Sequence, residues 1–174
     1  MNVDFTDDVK KRLAGACRIA VVGIGDECSA FDRLGMDAAR LLRNRLVPQT
    51  SVFLAGTVPE SVTASIRRYK PDHILLLDAA DMGARPGTIA VISKEAISGT
   101  LLSTHVMPLS VIMEYLARDS SAVVTLLGIQ PDLDRPESGL SDEARGALNR
   151  DLHRLSKILA RSGSLAKNKG KLPV

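Results

Sequence analysis

Five short apolar runs rich in β-branched residues punctuate the chain: 18–24 (RIAVVGI), 51–55 (SVFLA), 73–77 (HILLL), 88–92 (TIAVI) and 122–129 (AVVTLLGI). They are nearly continuous rather than alternating, which is the pattern of strands covered on both faces. Between them, apolar positions recur at helical spacing. Leu34, Ala38, Leu41 and Leu42 form one stripe, Val62, Ile66 and Tyr69 a second, and Leu109, Ile112 and Leu116 a third. Leu148, Leu152, Leu155 and Leu159 mark a long last helix, with Ser141 as its N-cap and Asp142 and Glu143 in its first turn. Phe5, Val9 and Leu13 predict a short helix at the start.

One connection differs from the rest. Residues 78–87 read DAADMGARPG, which is turn chemistry and too short for a crossover helix, so the third and fourth strands are expected to form a hairpin. Strand–helix alternation with one such exception predicts an α/β fold: a three-layer αβα sandwich around a mostly parallel five-stranded sheet with one antiparallel hairpin. No internal repeat or linker divides the chain. It reads as one domain over 1–161 followed by a basic tail over 162–174, with 93–107 as a candidate binding loop.

Composition narrows the classes. Hydrophobic residues make up 45% and charged residues 25%, which is globular rather than disordered. No apolar run approaches the ~20 residues of a membrane span, and MNVDFTDDVKK lacks a signal-peptide core, so a cytoplasmic protein without membrane insertion is expected. Two cysteines, Cys17 and Cys28, are too few for a disulfide framework or a zinc cluster. The net charge of +3 points away from nucleic acid once it is located, because Lys167, Lys169 and Lys171 in the tail account for all of it. Aromatic residues are 3%, too sparse for base stacking. The absence of an exposed apolar stripe favours a monomer.

Ligands of open parallel sheets bind beyond the carboxyl ends of the strands, so the polar residues there matter most. The first strand exits through VVGIGDECSAFDRLG, a glycine turn carrying Asp26, Glu27 and Asp32. A dinucleotide site needs a third glycine, where this chain has Cys28, and an acid ending the second strand, where it has Ala55-Gly56-Thr57. That reading becomes a minor alternative. Asp32, Asp78 and His105 follow three separate elements and together suit a divalent cation in an N/O site. Each also has a local explanation: Asp32 as a helix N-cap, Asp78 in a turn, His105 on a surface loop. A thiol nucleophile, Cys28 with His105 as base, is a further alternative. Gln130-Pro131-Asp132 leaves the fifth strand, while Cys17, at the start of a buried strand, reads as core, and His73 and His153 read as structural or solvated.

From about residue 18 to 160 the chain resembles the nickel–iron hydrogenase maturation endopeptidases, most closely the branch that processes hydrogenase 3-type large subunits. The similarity lies in VVGIG followed by Asp32 and Gly35, in HILLLDAADMGARPGTIAVI with Asp78, in STHVMPL with His105, and in LLGIQPD followed by GLS. It implies an enzyme that removes the C-terminal extension of a nickel–iron hydrogenase large-subunit precursor after nickel insertion. Asp32, Asp78 and His105 would recognise nickel, expected to be substrate-borne, with other divalent metals as stand-ins in vitro. Departures are Asp26 where the family has Asn, Phe31 before Asp32 where paired acids are common, Ala55-Gly56-Thr57 in place of Asp-Gly-Gly-Thr, and Cys28 at an apolar position. A non-catalytic nickel- or precursor-binding factor would use the same residues.

Overall fold

The computed structural model describes residues 5–45, 47–93 and 108–169. In chain order the elements are α1 (Phe5–Arg12), β1 (Ile19–Ile24), α2 (Leu34–Asn44), β2 (Thr50–Gly56), a 3-10 turn (Pro59–Val62), α3 (Thr63–Tyr69), β3 (His73–Ala79), β4 (Ile89–Ile92), α4 (Leu109–Ser120), β5 (Val123–Ile129) and α5 (Asp142–Lys169). All five strands lie within about two residues of the predicted apolar runs. Ser141 caps α5 as expected, its Oγ accepting the Ala144 amide at 3.3 Å.

The strands form one sheet in the order β2-β1-β3-β5-β4. β2, β1, β3 and β5 run parallel to one another, and β4 runs antiparallel to β5. The antiparallel strand is therefore present, but its partner is β5 rather than β3. β3 has no edge to offer a hairpin: β1 occupies one side, with Ile19 opposite His73, and β5 the other, with His73 opposite Val123. The turn after β3 steps across the end of β5 and delivers β4 to the outer edge, where Ile89 pairs with Ile129 and Ile92 with Leu126.

Alternation along the central strands builds two cores. Ile19 and Val21 of β1, with Leu75, Leu77 and Ala79 of β3, face α1, α2 and α5 and meet Phe5, Val9, Leu42, Leu148 and Leu155. Ala20, Val22 and Ile24, with Ile74 and Leu76, face α3 and α4 and meet Ile66, Ile112 and Leu116. Each fully buried leucine or isoleucine contributes about 2 kcal/mol of transfer free energy. β2 departs from the expectation of strands covered on both faces. It is an edge strand, half-buried over most of its length.

The connectivity also places a crevice. β1 leads through α2 to β2 on one side, and β2 returns through α3 to β3 on the other side of β1. Right-handed crossovers require α2 and α3 to lie on opposite faces, as they do. The strand order thus reverses between β1 and β3, and their carboxyl ends flank the topological switch point.

Candidate active site

Close packing of α2 against the sheet shapes the β1 exit. A Cβ on Gly35 would lie 2.1 Å from the Leu77 carbonyl oxygen and 2.4 Å from that of Ile24, so only glycine lets the first turn of α2 press on the ends of β1 and β3. Gly25 has φ +133°, and a Cβ there would meet the Asp32 carbonyl oxygen at 2.0 Å. Its amide donates to the Gly56 carbonyl at 3.0 Å, and the next amide, of Asp26, donates to Asp32 Oδ2 at 2.9 Å. Neither amide is left for a phosphate, which removes the basis of the nucleotide reading of this turn.

The three acids of the turn separate into different roles. Asp26 Oδ1 accepts the Cys28 amide at 2.9 Å in a local turn. Glu27 forms an ion pair with Arg40. Asp32 is 3% exposed, and its Oδ1 has no hydrogen-bond partner among the described residues. The N-cap explanation fails for Asp32, because Arg33 holds the cap position without a side-chain bond and Asp32 reaches back to Asp26 instead. Leaving a buried carboxylate oxygen unsatisfied costs several kcal/mol of desolvation unless a cation or donor meets it.

Asp78 lies within the last two residues of β3, fully buried, opposite Gly128 of β5. Its Oδ1 accepts the Ala79 amide at 2.9 Å. Because Gly35 is pinned against Leu77, the residue before Asp78, the β1 exit that carries Asp32 and the end of β3 meet at one edge. The structure therefore brings two of the three predicted site residues to the switch point. The third, His105, lies outside the described residues, as does the expected binding loop from residue 94 to 107. Among the described residues, no three His, Cys, Asp or Glu side chains form a group able to hold a metal ion by themselves.

The remaining candidates fall into place around this edge. Cys28 is an exposed free thiol, and its assigned base, His105, is outside the described residues. Cys17 is half-buried rather than part of the core. His73 sits at the opposite, amino edge, buried, with Nε2 3.0 Å from Thr125 Oγ1. Burial, with the Arg12 charge adding to it, lowers its pKa to about 4. Gln130 plays a larger part than its position suggested. Its Oε1 accepts the amides of Met82 at 2.6 Å and Ala84 at 3.2 Å, and its Nε2 donates to Asp81 Oδ1 at 3.3 Å. A single polar residue after an apolar strand gives no sign in the sequence of partners nearly fifty residues away.

Residues 37–158 match the family described as hydrogenase maturation protease. A Methanocaldococcus jannaschii protein named as a candidate hydrogenase maturation protease is 32% identical over 130 residues, covering 70% of this chain and 77% of that one. The hydrogenase 3 maturation protease of Escherichia coli K12 is 39% identical over 83 residues, 47% of this chain and 53% of that protein. The crystal structure of the nickel–iron hydrogenase maturation protease HycI from Thermococcus kodakarensis superposes with a TM-score of 0.73 at 25% identity, covering 87% of this chain and 98% of the other. A family match across most of the length, with the fold shared as well, establishes that this chain belongs to the hydrogenase maturation proteases.

Proposed function

We propose that the protein is an endopeptidase that removes the C-terminal extension of a nickel–iron hydrogenase large-subunit precursor after nickel has been inserted. Asp32, Asp78 and His105 address the nickel, which arrives as part of the substrate. The observation that carries this reading is the buried Asp32 carboxylate, whose Oδ1 lacks a hydrogen-bond partner among the described residues beside the switch point that also holds Asp78. A cation presented there meets the oxygen that the protein itself leaves unsatisfied, and two carboxylates with an imidazole suit nickel. Ligands drawn from both sides would fix the precursor's tail relative to the enzyme, turning cleavage into a local, oriented event. Nickel held this way also supplies the charge that favours attack of water on a nearby peptide carbonyl. Among the described residues no helix is long and apolar enough to cross a membrane.

The test is a cleavage assay read by mass on nickel-loaded and nickel-free precursor. Loss of the C-terminal extension from the loaded form alone is the expected result. Binding of the loaded precursor without any cleavage would replace the enzyme by a non-catalytic maturation factor. A stoichiometric metal retained by the isolated protein through purification and dialysis would overturn the substrate-borne assignment.

A further inference from the structure

The turn after β3 is held by one buried amide side chain. Gln130, 3% exposed, uses both oxygen lone pairs on the Met82 and Ala84 amides, and both Nε2 hydrogens on Asp81 Oδ1 and the Pro131 carbonyl, each at 3.3 Å. Its backbone does the same work: its amide donates to the Thr88 carbonyl at 2.9 Å and its carbonyl accepts the Gly87 amide at 2.8 Å. The turn is thus tied to β5 at both ends and through its middle. Asp81, three residues beyond Asp78, has Oδ1 committed to Gln130 and to the Gly83 amide at 3.1 Å. Its Oδ2 makes no hydrogen bond among the described residues, and the side chain is half-exposed at the carboxyl edge of the sheet.

We infer that Gln130 is a positioning residue for substrate binding. By holding Asp81 Oδ1, it fixes the rotation of the carboxylate and presents Oδ2 as an acceptor for an N–H donor of the precursor peptide. The inference rests on the endopeptidase reading for the identity of the peptide. An extended chain offers main-chain N–H groups at a regular spacing, and a charged acceptor on a rigid turn forms a stronger bond than a neutral one. An amide is the side chain that fits the post. A carboxylate at 130 would accept the Met82 and Ala84 amides equally well, but it would set oxygen against oxygen at Asp81 and turn that carboxylate away.

A double-mutant cycle tests this on the full chain with labelled, nickel-loaded precursor, reading Kd by fluorescence anisotropy and kcat and KM by mass. Gln130→Glu and Asp81→Ala are each expected to weaken Kd roughly tenfold, with kcat within about twofold of wild type. The double variant is expected to match either single one, because Gln130 acts through Asp81. Thermal melts confirm that each variant folds. A wild-type Kd for Asp81→Ala overturns the proposal even if Gln130→Glu fails to fold, and so does a roughly hundredfold, additive loss in the double variant. Binding without cleavage by the wild type defeats the endopeptidase reading but leaves the cycle readable through Kd. Absence of both defeats the two together.

Discussion

Two buried titratable side chains, His73 at the amino edge of the sheet and Asp32 at the carboxyl edge, are treated in opposite ways. At the amino edge, His73 is paired within the protein, its Nε2 3.0 Å from Thr125 Oγ1. At the carboxyl edge, Asp32 is equally buried, yet one of its oxygens has no partner among the described residues. A group satisfied internally stabilises the fold and is finished. An unsatisfied one is retained against its cost, and a cation from outside is the natural means of offsetting it.

Substitutions at the two edges should therefore separate activity from stability. The largest effect is expected for Asp32→Asn and Asp78→Asn: cleavage of the nickel-loaded precursor falls by on the order of a thousandfold or more. Asp32→Asn should leave the melting temperature unchanged or raise it, since the amide oxygen still accepts from Asp26 and a buried charge is removed. Wild-type-like cleavage in both variants would break the comparison.

The amino edge carries the next effect, which is on stability alone. Well above pH 6.5 the folded and unfolded chains both hold a neutral His73 imidazole, and no difference arises. As the pH falls from 6.5 towards 4, the unfolded chain binds a proton that the folded chain refuses, so stability drops by up to about 3 kcal/mol. His73→Gln keeps a donor for Thr125 and removes the titration. Denaturant melts of that variant should show a flatter dependence between pH 6.5 and 4, and an unchanged slope would sink the assignment. The smallest effect belongs to Cys28→Ala, on the exposed part of the β1 exit, where cleavage and melting temperature are both expected to stay near wild type. Loss of cleavage there would revive the thiol mechanism.

Much of this architecture was legible because local pattern reports it. Strands such as β3, buried at every position, read as unbroken apolar runs, and the stripes of α2 and α5 read as helices, that of α5 with its Ser141 cap. Asp32 and Asp78 stood out by their positions after strands. Less visible was the pairing of β4, because a ten-residue turn can close a hairpin or step over a neighbouring strand, and its composition serves either. The half-buried state of β2 was hidden too, since an edge strand with one covered side can be as apolar as a central one.

The sequence by itself determined the order of strands and helices, the doubly covered sheet and the acids at its carboxyl end, all consequences of periodicity and short-range chemistry. Only the tertiary structure decided what the glycine turn is for. Gly35 must be glycine because of a carbonyl 42 residues further along the chain, and Gly25 because the backbone at Asp32 returns upon it. Of three acids that looked alike, a local amide engages one, an arginine pairs with the second, and the third keeps an oxygen free of any described partner. Such distinctions rest on contacts between distant segments, which no local pattern of residues encodes.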